Sequence, residues 1–347
     1  MRRLILLGLF LYSYAFDPVC EVFSDVLQTR DNPSKIVMSG SGYVYGTPSS
    51  CSFNTGSIYQ GRWYPKLKCG SQTASATNNY SKSLSINYTF LVESSHSSNS
   101  KYLSGTKIFQ STNPLKYHSV TIYRNSTNIT FKTPKLVIDN LIQSNSGWGS
   151  STIIIYADEI DIGDINLGQQ ATLIIHPYTP NKKVILHSNS ITSSSSSTII
   201  VDSGDYYTNS FSIPGSSNIS SIKASDNNQV INLFINNDFT PGNNPGINSD
   251  GNNGNFGTLS PANFRIFING DLETGGGGTT FNALVYVENS AVLGSPTYIK
   301  GGLSTGGNIK IKNGSKFYYD TSIETSDLGG FCGNNFNFDN SYSCDIF

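Results

Sequence analysis

The sequence predicts an all-β protein built mainly as a parallel β-solenoid (β-helix), with an N-terminal β region and a disulfide-linked C-terminal cap. Three features indicate this class. Short runs of β-branched and aromatic residues recur along the chain, many breaks between them are a single Gly or an Asn-Gly pair, and helical periodicity is absent. One such run cannot bury its apolar face alone, whereas the stacked turns of a coil can.

The composition indicates a folded chain. Only 13% of the 347 residues are charged and Ser, Thr, Asn and Gly are abundant, yet the chain carries 20 Tyr and 19 Phe. Disordered chains of this polarity normally lack aromatic and β-branched residues. We therefore expect the polar residues to decorate a β-rich body.

Residues 1–15 have the form of a signal peptide. Arg2 and Arg3 precede an apolar stretch and a small-x-small cleavage site that ends at Ala15. We expect export to the periplasm, the cell surface or the extracellular space, with a mature chain that begins at Phe16. The alternative is that this stretch is retained as a single N-terminal anchor. No later stretch is a candidate span, so we expect no transmembrane segment after signal removal.

Residues 16–130 are assigned to the N-terminal β region. Short strand-like pieces such as Tyr43–Tyr45 alternate there with Ser/Asn/Gly loops. Frequent turn signals favour short antiparallel or capping strands. We expect this region to close the end of the solenoid opposite the C-terminal cap.

Residues 131–320 are assigned to the solenoid. In a parallel coil each strand pairs with the strand one turn below, and alternate residues point into a narrow interior. The alternation therefore places Ile309 and Ile311 inside and Lys310 and Lys312 outside. A second run places three residues inside: Phe264, Ile266 and Ile268. A large antiparallel sandwich is the competing arrangement.

Residues 321–347 are predicted to form the cap, because a solenoid end exposes unpaired backbone. All five cysteines lie in the exported part, where disulfides persist. The pairs closest in sequence are Cys51 with Cys69 and Cys332 with Cys344, and each closed loop would contribute about 3 kcal/mol in the chain-entropy model. Cys20 is left over and could replace either partner of the first pair or bridge to another chain, since sequence does not determine connectivity.

The charge balance excludes one class of partner. The chain has 22 basic and 23 acidic residues and a net charge of -1, without a Lys/Arg cluster. Nucleic acid binding requires a basic footprint that neutralises phosphates. We therefore expect no nucleic acid partner.

One acidic group is the candidate for catalysis. Parallel β-helices include polysaccharide lyases and hydrolases, whose sites require converging carboxylates or basic residues on an outer face. The chain has one dense acidic group, which consists of Asp158, Glu159, Asp161 and Asp164. Alternation points Glu159 and Asp161 outward, and Asp164 is the third candidate for the same face. No Arg lies near them, and exposed acids on a strand usually form a solvated face, so catalysis is the alternative hypothesis.

The metal candidates are few, and no cofactor is expected. Of the four histidines (His96, His118, His176 and His187), His176 and His187 each follow an apolar strand core and would form a metal edge if they stacked on neighbouring turns. Ordinary turn histidines are the simpler interpretation. Asp250, in the loop Asn248–Asn255, is a weak calcium candidate, because tight calcium loops carry several carboxylates and this loop has one.

Two parts of the sequence resemble a known family. "CEVFSDVLQT" resembles the opening of mature MshQ-like proteins, which are encoded with the mannose-sensitive haemagglutinin (MSHA) type IV pilus of Gram-negative bacteria. "FINNDFTPGNNPGIN", "FRIFINGDLETG" and the run from Phe281 to Asp320 resemble that family's solenoid turns, and similar turns occur in PilX-type pilus accessory proteins. The resemblance covers the mature N-terminus and most of residues 230–320.

The resemblance implies a periplasmic or cell-surface β-solenoid with no catalytic residues to carry over. We therefore expect an exported, non-enzymatic protein that acts in type IV pilus-linked surface assembly or adhesion. Its partner would be a pilus or cell-envelope protein, or a surface glycan. The alternative is a carbohydrate-active β-helix enzyme, a polysaccharide lyase or hydrolase, that uses Glu159, Asp161 and Asp164.

Overall fold

The computed structural model describes most of the chain from residue 88 onward and a set of short strands nearer the N-terminus. The continuous described ranges are 88–124, 127–144, 149–194, 196–213 and 220–318, with residue 320 and residues 342–343. The fold is all-β, a parallel solenoid of about nine turns, which confirms the predicted class. A three-residue 3-10 helix spans Pro261–Asn263.

The first eight strands are short and precede the main coil. They are β1 (Leu27–Thr29), β2 (Ile36–Met38), β3 (Tyr43–Tyr45), β4 (Phe53–Asn54), β5 (Ile58–Gln60), β6 (Lys66–Lys68), β7 (Ala76–Thr77) and β8 (Ser85–Ile86).

The strands of the first turns are longer. They are β9 (Ser100–Leu103), β10 (Thr106–Gln110), β11 (Leu115–Ile122), β12 (Thr127–Lys132), β13 (Lys135–Gln143), β14 (Ser151–Tyr156), β15 (Glu159–Leu167), β16 (Ala171–His176), β17 (Val184–Ser193), β18 (Thr198–Val201), β19 (Gly204–Ser212) and β20 (Ser220–Ala224).

The later turns contain the remaining strands. They are β21 (Ile231–Ile235), β22 (Gly246–Ile247), β23 (Phe264–Ile268), β24 (Leu272–Glu273), β25 (Thr279–Val287), β26 (Ala291–Leu293), β27 (Thr297–Thr305), β28 (Ile309–Ile311), β29 (Lys316–Tyr318) and β30 (Tyr342–Ser343).

The pairing is that of a coil. From β9 to β21, each strand pairs in parallel with the strand two positions further along the chain, so odd-numbered strands stack into one wall and even-numbered strands into another. In the later turns β24, β26 and β28 form a further wall. Parallel pairing throughout this part excludes the antiparallel sandwich.

The core consists of inward-facing columns, one residue per turn. One column in the even-numbered wall contains Ile129, Ile153, Leu173, Ile199 and Ile222. All five are buried in one apolar cluster. The predicted alternation is confirmed in β28, where Ile309 and Ile311 are buried and Lys310 is exposed.

The second predicted run is buried on both faces, which the alternation did not predict. Phe264, Ile266 and Ile268 lie in the core as expected, but Arg265 and Phe267 are also buried. Phe267 stacks on Phe234 of the turn below, with ring centroids 4.8 Å apart. The outer face of β23 is therefore covered as well as its inner face.

The solenoid begins earlier than residue 131. Strands β9 to β12 lie within residues 100–132, which the sequence analysis placed in the N-terminal β region, yet they pair in parallel register with β11 to β14. The expectation of antiparallel strands is wrong for this part. Among the described strands, β8 and β30 are the one antiparallel pair, at Ile86 and Tyr342.

The N-terminal strands lie at the end of the coil that the sequence analysis did not expect. β1 pairs in parallel with β27, β2 with β28 and β3 with β29, with Leu27 opposite Leu303 and Ile36 opposite Ile309. The first strands of the chain therefore continue the last turns of the solenoid. Residues 1–15 and all five cysteines (Cys20, Cys51, Cys69, Cys332 and Cys344) lie outside the described residues, as does the predicted cap 321–347 apart from β30. The signal peptide, the cap and the disulfides therefore stay predictions.

Candidate functional site

Residues 88–99, here called the strap, lie along the outside of the odd-numbered wall. Phe90 stacks on His187 of β17, with ring centroids 5.7 Å apart, and contacts Tyr207 of β19. At the other end, the carbonyl oxygen of Asn99 accepts the backbone N–H of His118 in β11. The strap therefore crosses five successive strands of the wall, from β19 back to β11, and leads directly into β9.

A cleft of about 320 Å³ lies between the strap and this wall. Its lining residues are Leu91 and Glu93 from the strap, Lys135 from β13, Glu159, Ile160 and Asp161 from β15, and Ile185 and His187 from β17. The parallel register places Lys135 beside Glu159 and Asp161 beside His187 on adjacent strands. Because outward positions alternate along a strand, charged side chains from three turns face one space.

Lys135 is the centre of an ion-pair cluster in the cleft. Its Nζ lies 2.8 Å from Glu93 Oε2, 3.3 Å from Asp161 Oδ2 and 3.3 Å from Glu159 Oε2. Glu93 is also 2.6 Å from Lys116 Nζ. Burial alone would lower the pKa of Lys135, but the hydrogen bond to Glu93 and the negative charge of Asp161 outweigh it and raise the pKa above its ordinary value.

Asp161 and His187 form a hydrogen-bonded pair beside this cluster. His187 Nδ1 lies 3.2 Å from Asp161 Oδ1, and the backbone N–H of Glu93 donates to the same oxygen at 3.3 Å. Burial would raise the pKa of Asp161, but the bond from His187, the Glu93 N–H and the charge of Lys135 together lower it. In neutral His187, a proton on Nδ1 would leave the Nε2 lone pair free.

Asp139, one turn below, fastens the strap most directly. Its carboxylate accepts the Ser95 backbone N–H and the Ser95 hydroxyl, both at 2.7 Å, the Ser94 hydroxyl at 3.3 Å, and lies 2.9 Å from His118 Nδ1. Burial opposes ionisation, but the bonds from Ser95, then His118 and Ser94, lower the pKa of Asp139 to about 2.

The predicted acidic residues separate into three places. Glu159 and Asp161 line the cleft. Asp158 faces the turn after β16, where it accepts the N–H and hydroxyl of Thr179 at 2.9 and 2.7 Å. Asp164 lies beyond the cleft and accepts the Ser190 hydroxyl at 2.5 Å.

A bend at Gly163 explains the position of Asp164. A Cβ at Gly163 would lie 2.3 Å from the backbone oxygen of Asp139 in the strand below, so only glycine permits the approach of the two backbones. The bend shifts Asp164 into the column of Asn140 and Ser190, away from Asp161. The prediction that Glu159, Asp161 and Asp164 share one face is therefore correct for the first two residues only.

The histidines do not form the predicted metal edge. His176 lies on β16 of the even-numbered wall, where it stacks on Tyr156 and its Nδ1 lies 2.8 Å from Asp202 Oδ2. His187 lies in the other wall beside Asp161, and His96 lies in the strap. In the described part of the chain, no group of three or more His, Cys, Asp or Glu residues is placed to hold a metal ion.

The calcium candidate lies in a loop that its neighbours hold closed. Residues 248–260 leave the coil between β22 and β23, and Asn282 of the next turn donates to the backbone oxygens of Asn248 and Leu259 at 3.0 and 2.6 Å. The carboxylate of Asp250 lies against Gly257. Asp250 is the one carboxylate of this loop, as the sequence showed.

Sequence reasoning missed Glu93, Lys116 and Lys135. The signal for Lys135 was present, because "KLVIDNLI" and "EIDIGDINL" align as successive turns that place Lys135 opposite Glu159. Glu93 had no such signal, since the strap contains no strand and contacts the wall across its outer face.

The comparisons with known proteins match part of the solenoid. A family model described as a domain of unknown function (DUF7305) matches residues 191–326, which extend from the end of β17 past β29. The cleft residues, from Leu91 to His187, lie before the matched region. No curated protein and no solved structure matches the chain significantly. Among the described residues, no helix has the length and apolar character needed to cross a membrane.

Proposed function

We propose that this chain is an exported, non-enzymatic β-solenoid that acts in surface assembly or adhesion linked to a type IV pilus. The proposal that the protein is not an enzyme rests on the ion pairs inside the cleft. Its one lysine contacts three carboxylates, one of which belongs to the strap itself. The charged groups that a substrate would need are engaged in holding the chain to its own outer wall.

The pKa directions support the same conclusion. A general base or acid works best with a pKa near the operating pH. Here the pKa of Lys135 is raised and those of Asp161 and Glu93 are lowered, so all three are displaced toward their charged forms. Charged groups of this kind hold one another in place, which supports an attachment role for the cluster.

The fold supports a role at a surface, and the sequence resemblance supports the link to a pilus. A solenoid presents a long, regular outer surface to a partner, as repeat proteins generally do. The resemblance to MshQ-like proteins falls on residues 230–320, which form the turns from β21 to β29. These turns are also the part that the DUF7305 model matches.

The test is a deletion of the gene in its own host. We expect the deletion strain to carry fewer surface pili by electron microscopy and to adhere less, and expect the wild-type gene to restore both. Protease treatment of intact cells should degrade the protein if it is displayed outside the cell. Unchanged piliation and adhesion in the deletion strain would contradict the proposal.

One observation favours a second function, a carbohydrate-active β-helix enzyme. Asp161 orients His187 in a cleft that also contains Glu159, and a carboxylate–histidine pair of this kind is a general-base arrangement. The cleft volume is at the small end of ligand sites. Neutral, acidic and amino polysaccharides should be incubated with wild-type protein and with Asp161→Ala, and release of reducing or unsaturated sugars measured.

The control for this assay is Asp250→Ala, which removes a carboxylate outside the cleft. Sugar release by the wild type and the control but not by Asp161→Ala would establish the enzyme and overturn the non-enzymatic proposal. No release from any of the polysaccharides by the wild type supports it.

A further inference from the structure

Within the part of the chain that the structure describes, the first turn of the solenoid has an open edge. Among the described strands, β9 pairs with β11 alone and β10 with β12 alone. Tyr102 in β9 is 72% exposed and Ile108 in β10 is 68% exposed. An open edge of this kind exposes backbone groups that can pair with another chain.

Two inward-facing columns of the core end at this edge in lysine. In the odd-numbered wall, register places one residue of each turn in a single column: Lys101, Val120, Leu141, Ile165, Ile191 and Phe211. In the even-numbered wall the corresponding column is Lys107, Ile129, Ile153, Leu173, Ile199 and Ile222. Every member is apolar except the first.

The other inward positions of the same two strands are apolar. Leu103 is buried, and Phe109 packs on Phe131 of the next turn with ring centroids 5.3 Å apart. The first turn is therefore held to the core by one apolar residue in each strand. Lys101 and Lys107 are the residues onto which a further turn would stack its own core residues.

The position of the lysines determines what can stack on this edge. Lys101 lies over Val120 and Lys107 over Ile129, and both underlying residues are fully buried. Neither lysine belongs to an ion pair within the described residues. Another turn stacked here would remove two ammonium groups from water without a carboxylate partner, which is strongly unfavourable.

We propose that Lys101 and Lys107 are a charge block that prevents a second copy of this chain from stacking on the first turn. Inward-pointing charges are one way in which β proteins protect open edges. At the opposite end, β1, β2 and β3 continue the last turns of the coil. The block follows from the register of the coil and is independent of the proposed function.

The test replaces both lysines with residues that continue their columns, Lys101→Val with Lys107→Ile. We expect the double variant to self-associate at least about a hundredfold more tightly than the wild type, measured by sedimentation over a range of concentrations. Backbone amides of residues 100–110 should gain protection from hydrogen exchange in the associated form. In the wild type their exchange should not depend on concentration.

The matched control is Lys132→Val with Lys310→Ile, which removes two lysines from exposed, outward positions. Equal association of this control would overturn the proposal, because lost charge alone would then be sufficient. A folded double variant that sediments like the wild type at every concentration would also overturn it.

The single variants are the second measurement if the double variant does not fold. Lys101→Val and Lys107→Ile should each associate more tightly than the wild type. If both single variants fold and sediment like the wild type, the proposed charge block is wrong.

Discussion

Asp139 is the residue whose replacement should loosen the strap most selectively. Its carboxylate accepts two bonds of 2.7 Å from Ser95 and one from Ser94, and it lies beside His118. Asp139→Asn keeps the shape of the side chain and removes its charge. One of the two positions that now accept hydrogen bonds would carry an NH₂ group, which would face a donor.

The lowered pKa of Asp139 gives the size of the stabilisation that its charge contributes. A fall in the pKa of Asp139 from its ordinary value of 3.8 to about 2 corresponds to about 2.4 kcal/mol of preference for the ionised form in the folded state. The carboxyl side chain is 22% exposed, so solvent screening reduces the contribution to about 1–2 kcal/mol. Because 1.4 kcal/mol is a factor of ten, we expect the strap to open about tenfold more often in the variant.

The sign of the pH dependence follows from the lowered pKa. A carboxylate whose folded-state pKa lies below its unfolded value stabilises the fold fully above the unfolded value, near pH 4, and loses this contribution as the pH falls toward 2. The wild-type strap should therefore loosen across this window. Asp139→Asn has no charge to lose at this position, so its strap should respond less over the same range.

The assay is amide hydrogen exchange of residues 92–99, corrected for the intrinsic pH dependence of exchange. Asp226→Asn is the control, because Asp226 is exposed and contacts the turn residues Asn228 and Gln229. The control should exchange like the wild type. Equal protection of the strap in Asp139→Asn and the wild type at pH 7 would refute the assignment of Asp139 as its main attachment.

Three further substitutions test other parts of the fold. Lys135→Met should destabilise the protein by about 2 kcal/mol in urea titrations, because the buried Asp161 loses its nearest cation, and the carboxyl pKa of Asp161 should rise in NMR titrations. Gly163→Ala should cost about 1–3 kcal/mol in thermal unfolding, because its Cβ would meet the backbone oxygen of Asp139. Asn236 donates a side-chain hydrogen bond to Asn209 Oδ1 and accepts one from Asn269 Nδ2, both of 3.1 Å. Asn236→Ala removes both bonds and should cost about 1 kcal/mol by the same measurement.

Each of these substitutions has a control in the same chain. Lys132→Met removes an exposed lysine of β12, and Gly105→Ala adds a Cβ where nothing lies within 4 Å, although its φ of 68° adds backbone strain. Asn252→Ala removes an asparagine from an irregular loop. A loss of stability in Lys132→Met as large as in Lys135→Met would show that the cluster is not the cause, and wild-type stability of Gly163→Ala would contradict the close approach of the two backbones.

The inward columns could be predicted from the sequence because they depend on local alternation. A strand of period two fixes which side chains face in, as at Ile309 and Ile311, once the chain is known to coil. The outward positions were less predictable. Phe267 is buried although alternation points it outward, because its ring packs against Phe234 and Tyr286 of the neighbouring turns.

The sequence predicted that Glu159 and Asp161 share a face, but it did not predict the bend that separates Asp164 from them. Glu159 and Asp161 share a face because no bend separates them, whereas Gly163 moves Asp164 into another column. The residues that complete the cluster come from the strap and from the turn below. Their contacts depend on where the strap lies in the folded chain, and the strap has no periodic pattern that predicts this.

The position of the N-terminal strands explains why the strap and its cleft exist. Because β1, β2 and β3 continue the last turns of the coil, the chain must return along the outside before it can begin the first turn at β9. A returning segment without strand pairing needs side-chain attachments, and Glu93 and Ser95 supply them to Lys135 and Asp139. The acidic and basic groups of the cleft then have a structural cause that requires no substrate. If Lys135→Met and Asp139→Asn both release the strap while surface assembly is unchanged, the attachment serves the fold alone and the partner surface lies elsewhere on the solenoid.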